Sequence, residues 1–307
     1  ERMEQVLEAK TDDEALKLLQ ESGYPQLRGT DPTSLDAALS AAREESFADL
    51  TDSAPDPRYI DVFRLKYDYH NIKVLLKAAA VGANPDPMLA DMGRVSVQQL
   101  KDSLAGGETA DLPPMLAAAA AEAKEVLDTT RDPQLSDIVL DRWSYRDMLA
   151  VAEATGSAFL RGYVQVQIDA ANLRALVRTL RMGKNETFLS GVLFEGGDIP
   201  ADAILKVSAD KGAGLKELYE PTRFREAAEC AQESLRGGAL TEFERLCDDA
   251  VNDYLSGAQF VPFGEAPLVG YLAARETEYT NLRILLTGRG TGLSPDVIRS
   301  RLRSCQA

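Results

Sequence analysis

The chain has 307 residues, 49 acidic against 34 basic side chains, a formal net charge of −15 and 45% hydrophobic residues. That length fits two or three domains with a sizeable core, and the charge argues against a face for nucleic-acid phosphates and disfavours docking on anionic lipid. A single histidine, His70, removes most histidine catalysis and the paired Glu-x-x-His chemistry of di-iron bundles.

The chain opens at Glu1 rather than Met, so a processed or shortened start is an expectation, and no signal-peptide pattern follows. Asp12, Asp13 and Glu14 place acids at a helix N-terminus ahead of an apolar face, and Gly23 stops that helix. Residues 33–50 read as helix, and Pro55 and Pro57 break the pattern. A long helix is predicted over Arg58 to Val81, closed by Gly82, with a turn at Asn84-Pro85-Asp86-Pro87. The Ala-rich stretch 115–127 is helical by propensity. Helices are predicted at 134–154 and 158–182, including Val164–Ile168, whose alternation is strand-like. Gly196-Gly197-Asp198 and Pro200 read as a linker, and helices recur at 222–236, 239–256, 266–287 and 295–304. No run of alternating strands with turn chemistry is present, so the fold reads as all-α. The longest apolar run, Met115 to Ala121, falls far short of the roughly 20 residues a membrane helix requires.

An internal repeat reorganises this list. Asp68-Tyr69-His70-Asn71-Ile72-Lys73 is echoed by Asp169-Ala170-Ala171-Asn172-Leu173-Arg174 and by Glu278-Tyr279-Thr280-Asn281-Leu282-Arg283. Eleven residues after each Asn stands Gly82, Gly183 or Gly292, and thirteen after stands Asn84, Asn185 or Ser294. Each copy therefore reads as the end of a long helix, a glycine stop, a cap and a second helix, with Pro295 at the first turn of the last one. Upstream, Leu35-Asp36, Leu140-Asp141 and Cys247-Asp248 lie 35, 31 and 33 residues before their Asn. Asn71, Asn172 and Asn281 stand 101 and 109 residues apart, which predicts three related helical domains, 1–92, 93–200 and 201–307. Asn is a poor helix former. Three occurrences in one frame, each with an acid three residues earlier on the same face, predict a buried inter-helix hydrogen bond rather than a ligand contact.

These residues carry a resemblance. Asp68–Lys77, the third copy with Gly292-Leu293-Ser294-Pro295 and Val297-Ile298-Arg299, and the early Glu8-Ala9-Lys10 with Asp13-Glu14-Ala15 resemble the C subunits of bacterial and archaeal V-type (V/A-type) ATPases, relatives of the eukaryotic d subunit. The family's first helical segment, upstream of Glu8, is expected to be absent or shortened here. The resemblance implies an all-helical funnel of three similar domains in pseudo-threefold arrangement. It implies a non-catalytic central-stalk (rotor) component, cytoplasmic and peripheral to the membrane, that joins the rotating shaft to the proteolipid ring for ion transport. It further implies shaft subunits and the ring as partners, no bound nucleotide and no cofactor. The isolated chain is expected to be a monomer. An acidic body suits basic cytoplasmic loops of such a ring.

Other chemistries are weighed on their residues. No Walker A sequence is present; Gly183-Lys184-Asn185 comes closest and reads as a helix stop and cap. Asp248-Asp249-Ala250-Val251-Asn252-Asp253 has the look of a Mg²⁺-diphosphate motif of prenyl or terpene synthases. Its partner motif, however, would need an acid where Phe260 stands, and the chain is 7% aromatic with one tryptophan, Trp143, thin for a carbocation cavity. No catalytic and no metal-binding residue is expected. A helical-repeat scaffold unrelated to the ATPase is the remaining alternative. Cys230, Cys247 and Cys305, odd in number and without C-x-x-C spacing, read as free packing thiols of a reducing compartment. Tyr69 and Tyr279 read as packing residues, and His70, opposite Ala171 and Thr280, as exposed or half-exposed.

Overall fold

The computed structural model describes residues 2–24, 27, 31–106 and 111–305. All regular structure among them is helical. Fifteen α-helices follow one another: α1 Arg2–Glu8, α2 Asp12–Glu21, α3 Pro32–Ser53, α4 Arg58–Val81, α5 Val97–Gly106, α6 Pro114–Thr130, α7 Pro133–Thr155, α8 Ala158–Arg181, α9 Glu186–Val192, α10 Ala201–Ala209, α11 Leu215–Tyr219, α12 Arg225–Ser234, α13 Thr241–Ser256, α14 Ala266–Gly290 and α15 Pro295–Arg299. The strand-like stretch at 164–168 lies inside α8, buried on most of its faces by neighbouring helices. β-branched residues are tolerated there because tertiary packing outweighs their small propensity cost.

The three long helices α4, α8 and α14 share one ending. After each, a glycine takes the left-handed region, with φ of 68° at Gly82, 63° at Gly183 and 74° at Gly292. The next amide then reaches back: Ala83 N–H to Ala78 O at 2.9 Å, Lys184 to Thr179 at 3.1 Å and Leu293 to Gly288 at 2.9 Å. This six-to-one bond satisfies a carbonyl that the helix leaves open, and only glycine adopts the required backbone without strain.

The cap then starts a new element in two copies. Asn185 accepts from Phe188 N–H at 3.0 Å and Ser294 from Val297 N–H at 3.4 Å, opening α9 and α15. In the first copy the expected second helix shrinks to one 3-10 turn, Asp86–Met88. Pro85 and Pro87 explain the difference, because neither supplies an amide and each restricts the residue before it. The last helix is also shorter than expected, ending at Arg299 rather than 304. Helices α1, α5, α10 and α11 are short and lie outside the stretches that the sequence marks.

Two apolar cores form among the described residues. The larger runs from Phe47 through α4, α6, α7, α8 and α13 to Ala273 in the first half of α14. The smaller gathers Val6, Leu7, Leu19, Leu35 and Leu39 from α1–α3 around Tyr279, Leu282, Leu285 and Leu286 in the second half of α14, with Ile298 of α15. The first helices thus pack on the last ones. The N-terminal ends of α4, α8 and α14 also meet: Ser157 and Glu265 are hydrogen-bonded and Phe63 stacks on Tyr163 at 5.2 Å, while Arg58 donates to Ala154 O in the last turn of α7 at 2.9 Å.

Candidate functional site

The repeated Asn residues are buried, at 0%, 1% and 2% exposure for Asn71, Asn172 and Asn281. Each grips one backbone residue with both ends of its amide. Asn71 donates to Ala90 O at 2.8 Å and accepts from Ala90 N–H at 2.9 Å. Asn172 does the same to Phe194 at 2.8 and 2.8 Å, and Asn281 to Arg303 at 2.9 and 2.8 Å. The expected inter-helix bond is therefore corrected in one respect. The partner is the extended segment returning past the helix, whose amides and carbonyls have no ladder of their own and need side chains to satisfy them.

The acid three residues earlier grips the same segment in two copies. Asp68 accepts from Val95 N–H at 3.1 Å and pairs with Arg94 at 3.0 Å. Asp169 accepts from Asp198 and Ile199 N–H, each at 3.1 Å, with no cation beside it among the described residues. Burial pushes the Asp169 carboxyl up to about 6, more than the two amides pull it down. Burial also raises Asp68, against the pull of the Val95 amide and Arg94. Gly93 and Gly197 are the places where the segment crosses these carboxylates. A Cβ there would lie 2.0 Å from Asp68 Oδ1 and 2.2 Å from Asp169 Oδ1. Gly197, expected as linker, is instead part of this clasp. In the third copy Glu278 pairs with Arg275 at 2.7 Å.

The basic residue two places after each Asn reaches into another copy. Lys73 pairs with Asp141. Arg174 pairs with Asp248 at 2.5 Å and with Glu244 at 2.7 Å. Arg283 pairs with Asp36 at 3.1 Å. The carboxylates are those of the three upstream matches, Asp36, Asp141 and Asp248, so the first copy binds the second, the second the third, and the third the first. One turn along the first two junctions a second rung repeats the pattern, Lys77 with Asp137 at 2.8 Å and Arg178 with Glu244 at 2.6 Å. The packing follows the same cycle: α4 lies on α7, α8 on α13 and α14 on α3.

Five residues before each Asn the three helices differ in charge: Lys66, Gln167 and Glu276. Lys66 and Glu276 form an ion pair, Arg43 binds Glu276 at 2.6 Å, and Gln167 donates to Tyr163 Oη at 2.8 Å. Burial opposes the charge on Glu276, but Lys66 and Arg43 outweigh it and hold the carboxyl below its ordinary value. Lys66, Gln167 and Glu276 line one cavity of about 200 Å³ between α4, α8, α13 and α14.

The aspartates of the synthase-like motif are engaged by the protein itself. Asp248 pairs with Arg174 and Arg303, Asp249 with Arg245 at 2.5 Å, and Asp253 with Arg223 at 2.9 Å. Among the described residues no group of His, Cys, Asp or Glu is arranged to hold a metal ion. Burial raises all three thiols, Cys247 up to about 12, which keeps it un-ionised. His70 is exposed and bonds Met88 O at 2.9 Å. Tyr69 and Tyr279 are buried packing residues that also hydrogen-bond, to Asp147 at 3.1 Å and to Ala42 O at 3.0 Å.

Comparison with known proteins adds a family. Residues 1–301 match the model of the ATP synthase (C/AC39) subunit family. The chain is 27% identical over 303 residues to the C subunit of the V-type sodium ATPase of Enterococcus hirae, covering 98% of this chain and 92% of that one. It is 26% identical over 329 residues to the C subunit of the A-type ATP synthase of Methanocaldococcus jannaschii, covering 99% and 82%. The corresponding A-type protein of Haloferax volcanii is 27% identical over 295 residues, covering 87% and 80%.

Proposed function

Because this chain belongs to the ATP synthase (C/AC39) subunit family, a structural subunit rather than an enzyme whose partners are other ATPase subunits, we propose that it is a central-stalk component joining the rotating shaft to the membrane proteolipid ring. In this reading residues 1–92, 93–200 and 201–307 are three helical domains forming a funnel, and the body is peripheral to the membrane. No helix among the described residues is long and apolar enough to cross one.

The observation that carries the reading is the cycle of junctions from Lys73 to Asp141, Arg174 to Asp248 and Arg283 to Asp36. Like junctions repeated head to tail around one axis either close or grow, and here the third returns to the first copy. A closed frame passes a twist applied at one face to the other without splaying, as a coupling between shaft and ring requires. The formal charge of −15 suits docking on basic loops. Pull-down of the full chain with purified shaft subunits and with the proteolipid ring tests this. Retention of both, with ring binding weakened by salt, is expected; failure to retain either overturns the reading.

A further inference from the structure

Helices α7 and α13 fill corresponding places, since Asp141 and Asp248 make corresponding junctions. Arg142 and Arg146 of α7 therefore stand where Asp249 and Asp253 stand on α13. On α13 both acids have partners within the chain: Arg245 and the Ser304 amide for Asp249, Arg223 for Asp253. On α7 neither guanidinium pairs with a carboxylate among the described residues. Arg142 donates to Gly191 O at 3.0 Å, and Arg146, exposed, lies over its own neighbour Trp143 at 5.0 Å.

These two arginines border an open groove of about 610 Å³ whose apolar lining includes Leu149, Leu193, Phe194 and Leu205, with Glu195 as the one acid among its described lining residues. We propose that this groove docks an acidic amphipathic helix of a partner polypeptide. The groove offers an apolar floor for a stripe of side chains and, one helical turn apart on α7, two guanidinium groups beside it. A helix lying along α7 with carboxylates four residues apart presents them at the same pitch, and each guanidinium takes a carboxylate in a two-pronged bond. Among the described residues no acid, Glu195 included, forms an ion pair with these arginines, which leaves the groove complementary to an incoming carboxylate. The free volume and the apolar floor exceed what a small inorganic anion uses. This inference goes beyond the stalk reading and does not depend on it.

The test uses the full chain and a labelled synthetic helix of about 18 residues carrying one leucine stripe flanked by glutamates, with a lysine-flanked twin as control. Fluorescence anisotropy is expected to show binding of the glutamate helix only, weakened about tenfold by raising salt from about 0.05 to about 0.3 M. Arg146→Glu, at an exposed position, and the milder Arg142→Gln with Arg146→Gln are each expected to weaken it at least about tenfold, with thermal melting unchanged for Arg146→Glu. Leu205→Asp removes the floor and is expected to abolish binding. Equal binding of both helices, or full affinity in Arg146→Glu, overturns the proposal. So does sedimentation of the chain with phosphatidylglycerol vesicles through Arg146 when the peptide does not bind.

Discussion

Asn172 and Asn84 are the same residue in two settings, and the difference sets the size of their effects. Asn172, itself buried, satisfies the amide and the carbonyl of half-buried Phe194 at once, whereas Asn84 accepts a single bond from Asp86 N–H at an exposed cap. Asn172→Ala is expected to cost about 2–3 kcal/mol in denaturant unfolding, and Asn84→Ala under about 1 kcal/mol. The neighbouring Asp169 makes stability depend on pH. Its carboxyl is raised to about 6 in the folded chain, against about 3.9 when unfolded. The folded state therefore holds the proton longer, and stability falls as pH rises from about 4 to about 6. Asp169→Asn gives up an accepted bond at every pH but is expected to flatten that fall, read from unfolding midpoints across the same window. The importance of Asn71, Asn172 and Asn281 is legible in sequence because a poor helix former recurs in one frame. Their partner is not, since a backbone amide carries no residue signature. Gly93 and Gly197 were open to the same logic, standing three residues after the gripped Ala90 and Phe194, but their spacing from the Asn differs between copies by three residues.

Among the helices, exposure decides which junction matters. Arg174 is 19% exposed and holds Glu244 and Asp248, while Arg283 and Asp36 are 64% and 48% exposed. Arg174→Ala is expected to cost about 1–2 kcal/mol, and Arg283→Ala under about 1 kcal/mol, in the same unfolding assay. Equal losses would mean that exposure does not govern these pairs. The long helices were legible from their glycine stops, because a left-handed residue is required after Val81, Met182 and Thr291. Short helices were legible where a cap or acid cluster announced them, as at α2, α9 and α15; α1, α5, α10 and α11, of five to ten residues, carry too few periods for an apolar stripe. Nor did the sequence alone tell that Asp141 answers Lys73 rather than a residue of its own copy. Charge pairing across copies needs the packing of α4 on α7 to be known first.

At the scale of the molecule, α14 belongs to two cores. Val269 and Leu272 lie in the larger, Leu282 and Leu286 in the smaller. Between them sits a polar band: Arg275 on the rings of Tyr24 and Tyr279, and Glu276 held by Arg43 and Lys66. A core with its own boundary opens with its own free energy. Hydrogen exchange is expected to release α1 and α2 and the end of α14 together, before the amides of α8; simultaneous exchange of both sets would show a single cooperative unit. The smaller core also joins the first residues of the chain to nearly the last. Val6, Leu7 and Leu19 are made first, and Tyr279 to Ile298, which cover them, are made at least 260 residues later (279 − 19). At roughly 5–20 residues per second, those apolar side chains wait roughly 10–50 s on the ribosome for their partners. The larger core assembles progressively from Phe47 onward as the chain emerges. Helices α1 and α2 therefore lack part of their cover for that interval, and a ribosome-bound chaperone is expected to occupy them during it, which crosslinking of stalled nascent chains would show.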